Sequence, residues 1–155
     1  MAIVNLDKIA GTHLSNGVNA TDEMLNGYFV ELGSLVVGER ELYNITAPTD
    51  VAGTEVLLHA SPEVMYDPRY SSLDRFFVEV GQECRLYHLT VGDIITLTED
   101  LFVTVPAVGD VVSAQIGGYR LGATVVGARL TFEVIEATFL DAMRTPAFSV
   151  RVLTV

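Results

Sequence analysis

The sequence predicts an all-β chain folded as an antiparallel sandwich or barrel of roughly eight to ten strands, with an extended N-terminal arm. Three observations carry this reading. The triplet Val-Gly-polar recurs as Val37-Gly38-Glu39, Val80-Gly81-Gln82, Val91-Gly92-Asp93 and Val108-Gly109-Asp110, with Val126-Gly127-Ala128 a near copy. Glycine supplies the positive φ of a tight reversal, the polar residue after it can bond the local backbone, and a β-branched residue before it suits a strand end. Leu130–Val134 and Phe148–Val152 alternate apolar and polar residues, the period of a half-buried strand. No stretch of a dozen residues holds a helical period.

Taken in order, residues 1–20 alternate poorly, with Ile3, Val4, Leu6 and Ile9 set in a polar start. They read as an edge strand or as an arm that docks on a partner by strand addition. Asn26-Gly27 is the chain's strongest hairpin dipeptide and leads into a strand over Tyr28–Gly33. Glu39–Ile45 alternates as a strand with one wet face, and Thr54–His59 begins the next. Ser61–Arg75 has two prolines and no period, so it is a surface loop. Its length points to a contact role, and Tyr66, Arg69 and Tyr70 are residue types enriched at interfaces. Phe76–Ile116 reads as strand, turn, strand, turn and strand. Gly117-Gly118 and Gly122 break the chain around Tyr119, and the two alternating segments near the C-terminus form a long antiparallel hairpin turning at Asp141–Pro146.

The 155 residues fit a single domain, 1–155, with 1–20 as the arm. Mean hydropathy is +0.39 although the formal charge is −11, so surplus apolar side chains must be buried in the fold or against other subunits. No uncharged apolar stretch approaches the roughly 18 residues of a membrane span, and MAIVNLDK is not a signal peptide. Twenty acidic residues against nine basic ones, only one of them lysine (Lys8), argue against nucleic acid as a partner.

The chemistry-bearing residues form no recognisable motif. Cys84 and His88 lie four apart, with His13 and His59 elsewhere, but a zinc site needs three or four converging ligands. No Gly-x-Ser-x-Gly is present and Cys84 lacks a protease signature. Gly117–Gly122 precedes a strand-like run, whereas a phosphate cradle opens a helix. The expectation is therefore no enzyme, no metal and no cofactor.

Asn26–Gly33 with Gly38–Tyr43, and Tyr87–Thr98, resemble small virion structural proteins of tailed bacteriophages, above all capsid decoration (cement) proteins. The resemblance spans Asn26 to Gly118 and rests on turn-and-strand patterns. It implies a non-enzymatic homo-oligomer, made in the bacterial host cytoplasm, that binds the major capsid protein on the outside of the head and stabilises the shell. The residues expected to carry that contact are Ile3, Leu6 and Ile9 of the arm and Tyr66, Arg69 and Tyr70 of the loop. A second reading is a β-sandwich module that binds carbohydrate or a cell surface, which the absence of Trp disfavours. A head–tail or tail-tube component is a third.

Overall fold

Eleven strands fall into two sheets in the computed structural model, which describes residues 2–10 and 14–155. The chain begins with β1 (Val4–Lys8) and then builds β2 (Leu14–Val18), β3 (Phe29–Leu35), β4 (Leu42–Thr46), β5 (Val56–His59) and β6 (Glu83–Tyr87). It continues through β7 (Ile94–Thr98), β8 (Val111–Ala114), β9 (Leu121–Ala123), β10 (Thr131–Leu140) and β11 (Thr145–Thr154). Strands β2 to β6 close a barrel in the order β2-β4-β3-β5-β6. The others form a six-stranded sheet ordered β1-β7-β11-β10-β8-β9. The chain thus starts in the open sheet, builds the barrel, and returns.

The fold class is the expected one, with two differences in detail. There are more strands than expected, because β2 and β9 lie in stretches whose glycines read as loop. The pairing is also not wholly antiparallel, since β2 runs parallel to β4, with Asn16 opposite Leu42 and Val18 opposite Asn44. The long C-terminal hairpin is present, with Phe132 opposite Val152 and Leu140 opposite Thr145.

Adjacent barrel residues are buried in opposite directions, which accounts for much of the apolar surplus. Phe29 and Leu58 face the open sheet and pack with Leu97, Phe132 and Val150; the Phe29 and Phe132 rings meet edge-on at 5.5 Å. Their neighbours Val30 and Leu57 turn into the barrel with Ile45, Cys84 and Leu86. A strand covered on both faces reads as a continuous apolar run, and β5, VLLH, is buried at every position. Phe29 N also donates to Tyr119 O (2.9 Å), tying the barrel to the loop before β9.

The glycine triplets are all turns of one kind. Gly38, Gly81, Gly92, Gly109 and Gly127 have φ between +78° and +95°, and in each turn the residue after glycine donates its N–H to the carbonyl three residues back. A positive φ at the third position alone is the type II arrangement, which strongly favours glycine there. Asp93 and Asp110 act as expected, accepting from the backbone N–H of Thr90 and Ala107 at 2.8 Å. The valines do not end strands, however. They occupy the second, outward corner, and Val37 and Val126 are 100% and 96% exposed. Asn26-Gly27 makes a turn of the same kind on the way into β3, with Gly27 at φ +92°.

Of the two readings of the N-terminal segment, the edge strand holds and the projecting arm does not: residues 4–8 are the edge strand β1, paired antiparallel with β7, Val4 opposite Leu97. Ile3 is 3% exposed, and its N–H donates to Thr98 Oγ1 at 3.0 Å. A segment with apolar residues and a free backbone gains more from its own sheet edge, which β7 would otherwise leave open, than from staying in water.

Candidate functional site

The long loop carries a group of exposed apolar side chains, Val64, Tyr66, Tyr70 and Leu73. Between β5 and β6 its only regular element is a 3-10 turn, Pro68–Tyr70, capped by Asp67, whose carboxylate accepts from Arg69 N. Phe76 and Val78 anchor its far end in the barrel core, and Met24 N and Val78 N exchange hydrogen bonds with each other's carbonyls at 2.9 and 2.8 Å. Held at both ends, the loop stands off the barrel wall and leaves an open groove of about 930 Å³, lined among others by Asn16, Met65, Tyr66, Tyr70, Phe77 and Arg85. Around the corner, past Ser61 and Pro62, a smaller groove of about 330 Å³ lies between Leu6 and Leu73.

The expected contact residues divide. Tyr66 is fully exposed at the groove, with Val64 close by in the chain and 80% exposed. Tyr70 is partly covered, its ring edge-on to Phe77 at 5.8 Å. Arg69 is engaged within its own turn, where its guanidinium holds the Asp67 carboxylate at 2.6 Å, and that hydrogen bond lowers the Asp67 pKa from its ordinary value. The pair is exposed and contributes little to stability. Of the N-terminal set, Ile3 is buried, whereas Leu6 and Ile9 pack against the main core and stay partly exposed.

The ionisable residues singled out by spacing go separate ways. Burial pushes the Cys84 thiol up to about 12, and its Sγ donates to Gly17 O at 3.2 Å, so it is an inert core residue. His13 lies outside the described residues. Among the described residues, no group of three or more His, Cys, Asp or Glu side chains is placed to hold a metal ion. His59 is fully buried, with Nδ1 2.9 Å from Leu25 O and Nε2 3.0 Å from Ser61 Oγ. Desolvation lowers its pKa to about 4, so it is neutral.

One constellation has no trace in the sequence. His88 Nε2 is 2.8 Å from Ser15 Oγ, and His88 Nδ1 is 2.8 Å from Glu55 Oε1. Ser15 lies directly opposite Leu86 in the β2–β6 register, and His88 follows Leu86 by two residues. Glu55 immediately precedes β5. Ser15 and Glu55 are 73 and 33 positions from His88, so only the register of three strands brings them together.

Comparison with protein-family models, with curated proteins and with solved structures finds no match to this chain.

Proposed function

We propose that this protein is a virion structural protein that binds the outside of a phage capsid, as a homo-oligomer, through the face formed by the long loop. The observation that supports the reading is the loop groove, whose lining gathers the exposed apolar and aromatic side chains Val64, Tyr66 and Tyr70. Contiguous exposed apolar surface of this kind marks protein contact sites. Buried tyrosines are also among the side chains that dominate binding energy. Leu6 and Leu73 line the smaller groove, which shares Ser61, Pro62 and Arg85 with the larger one. Ile3 leaves the contact set because the pairing of β1 has already buried it.

The mechanism follows from linkage. A chain that binds only the assembled, expanded shell stabilises that state in proportion to the logarithm of its free concentration over its dissociation constant. Each copy then bridges neighbouring capsid subunits. The net charge of −11 keeps many copies soluble and discourages contact with the packaged DNA. The first prediction is that Tyr66→Ala with Tyr70→Ala lowers co-sedimentation with purified heads at least tenfold while circular dichroism and melting stay those of the wild type. Unchanged binding would remove the loop face from the account, and equal survival of heated heads with and without the protein would remove the stabilising role. Binding on a glycan array, with none to heads, would turn the reading to the carbohydrate module.

A further inference from the structure

We propose that Ser15, His88 and Glu55 form a hydrolytic site in which Ser15 is an activated nucleophile toward short-chain carboxylic esters. The connectivity is the one such chemistry needs. A carboxylate only accepts hydrogen bonds, so the 2.8 Å contact to Glu55 puts the proton on His88 Nδ1. Nε2 is then left with its lone pair facing the Ser15 hydroxyl, also at 2.8 Å. A nucleophile hydrogen-bonded to a base, with the base oriented by a third group, is the signature of an activated serine, and it is recognised by geometry and not by sequence position. Glu55 acts through His88 and is a positioning residue.

Access is consistent with this role. Ser15 is only partly buried, and the His88 and Glu55 side chains are 17% and 45% exposed. The two grooves are lined by other residues, so the acyl group is a short one presented from solvent. In the reaction, Ser15 Oγ bonds to the ester carbonyl carbon as its proton passes to His88 Nε2. Collapse of the tetrahedral intermediate breaks the bond to the alcohol oxygen, which leaves with that proton. Water then attacks the acyl-serine by the same route, giving the carboxylic acid and restoring Ser15. This activity does not depend on the virion reading.

The molecule carries its own control. Ser61 makes the same kind of contact to His59, but Ser61 Oγ already accepts the Arg85 N–H at 2.9 Å, and the histidine beside it is fully buried. The test is to treat the intact chain with a fluorophosphonate, which forms a P–O bond to a reactive serine with loss of fluoride, and to map the adduct by mass spectrometry. The expected result is labelling of Ser15 and not Ser61, lost in His88→Gln, with p-nitrophenyl acetate turned over at least tenfold faster than by Ser15→Ala. Glu55→Gln should slow that turnover and shift its pH profile, and Glu55→Asp should restore part of it. Circular dichroism checks each variant, and Ser15→Ala stands in should His88→Gln fail to fold. No adduct on Ser15 in the folded wild type, or equal turnover by wild type and Ser15→Ala, overturns the proposal.

Discussion

His59 and His88 make the same pair of contacts in different surroundings. Each presents Nε2 to a serine hydroxyl, Ser61 at 3.0 Å and Ser15 at 2.8 Å, and Nδ1 to an oxygen acceptor. For His59 that acceptor is a backbone carbonyl, Leu25 O, in a fully buried setting. For His88 it is the Glu55 carboxylate, in a setting that solvent reaches. The difference decides the role. A carbonyl orients the ring but cannot balance an imidazolium, and desolvation at His59 keeps the ring neutral. A carboxylate does both, so only His88 can take a proton without leaving an uncompensated charge. One ring is a structural tie and the other can move a proton.

The sharpest way to break the comparison is to remove each ring. His59→Ala leaves a cavity and takes the acceptor from the Ser61 hydroxyl, at roughly 1–3 kcal/mol for a buried group, while Leu25 O keeps only the Tyr28 N–H. The expected loss is about 3–5 kcal/mol of unfolding free energy, read as a lower urea midpoint at unchanged slope. His88→Ala, on a partly solvated site where water replaces the ring, should lose about 1 kcal/mol. Equal losses would mean that the two sites do not differ as described.

The next effect is acid sensitivity. His59 titrates near its ordinary value of 6.5 when unfolded and at about 4 when folded. Its folded pKa is depressed, so the unfolded state binds the proton more readily. Its contribution is fully present above pH 6.5 and is lost as pH falls toward 4. Over that window the loss amounts to about 3 kcal/mol at roughly 1.4 kcal/mol per unit. Urea midpoints measured from pH 7 to 4.5 should fall for the wild type, whereas His59→Ala should lose this part of the slope. A wild-type midpoint that does not move across this range would show that His59 is not held neutral.

These histidines also mark how far the sequence could be read. The strands around them were legible where apolar alternation or a double-sided apolar run was strong, as in β5, β10 and β11. Strand β2 was not, because SNGV has loop composition. Gly17 is there because the barrel is full: a Cβ on it would lie 2.6 Å from Ile45 Cγ2 and 2.9 Å from Leu86 Cδ1. In β9, at the edge of the open sheet, a Cβ on Gly122 would lie 2.8 Å from the Gln115 side chain, whose flexible end would have to move. Glycine chosen for close packing and glycine chosen for a turn look alike in one dimension. The triplet glycines mark their turns correctly, but β-propensity misassigns the valines beside them, which are exposed corners. Tyr66 and Tyr70 were placed on an exposed loop correctly. Ser15, His88 and Glu55 share no local motif, and β2, which carries Ser15, was itself read as loop, so their meeting could not be anticipated.

The smallest expected effect separates the two serines. Both hydroxyls donate to a histidine Nε2, and a count of hydrogen bonds would rate them alike. Ser61 Oγ also accepts the Arg85 N–H, and the Ser61 backbone is clasped by Asn26, whose Oδ1 accepts from Ser61 N at 2.8 Å and whose Nδ2 donates to Ser61 O at 2.9 Å. Ser61→Ala therefore strands one buried ring nitrogen and one backbone N–H, at a cost of about 1–3 kcal/mol. Ser15→Ala removes one contact from a ring that water can reach, and its cost should stay within about 0.5 kcal/mol. Urea unfolding of the two alanine variants side by side measures this. A Ser15→Ala loss as large as that of Ser61→Ala would show that the Ser15 hydroxyl is a structural tie, held for stability in the way Ser61 is.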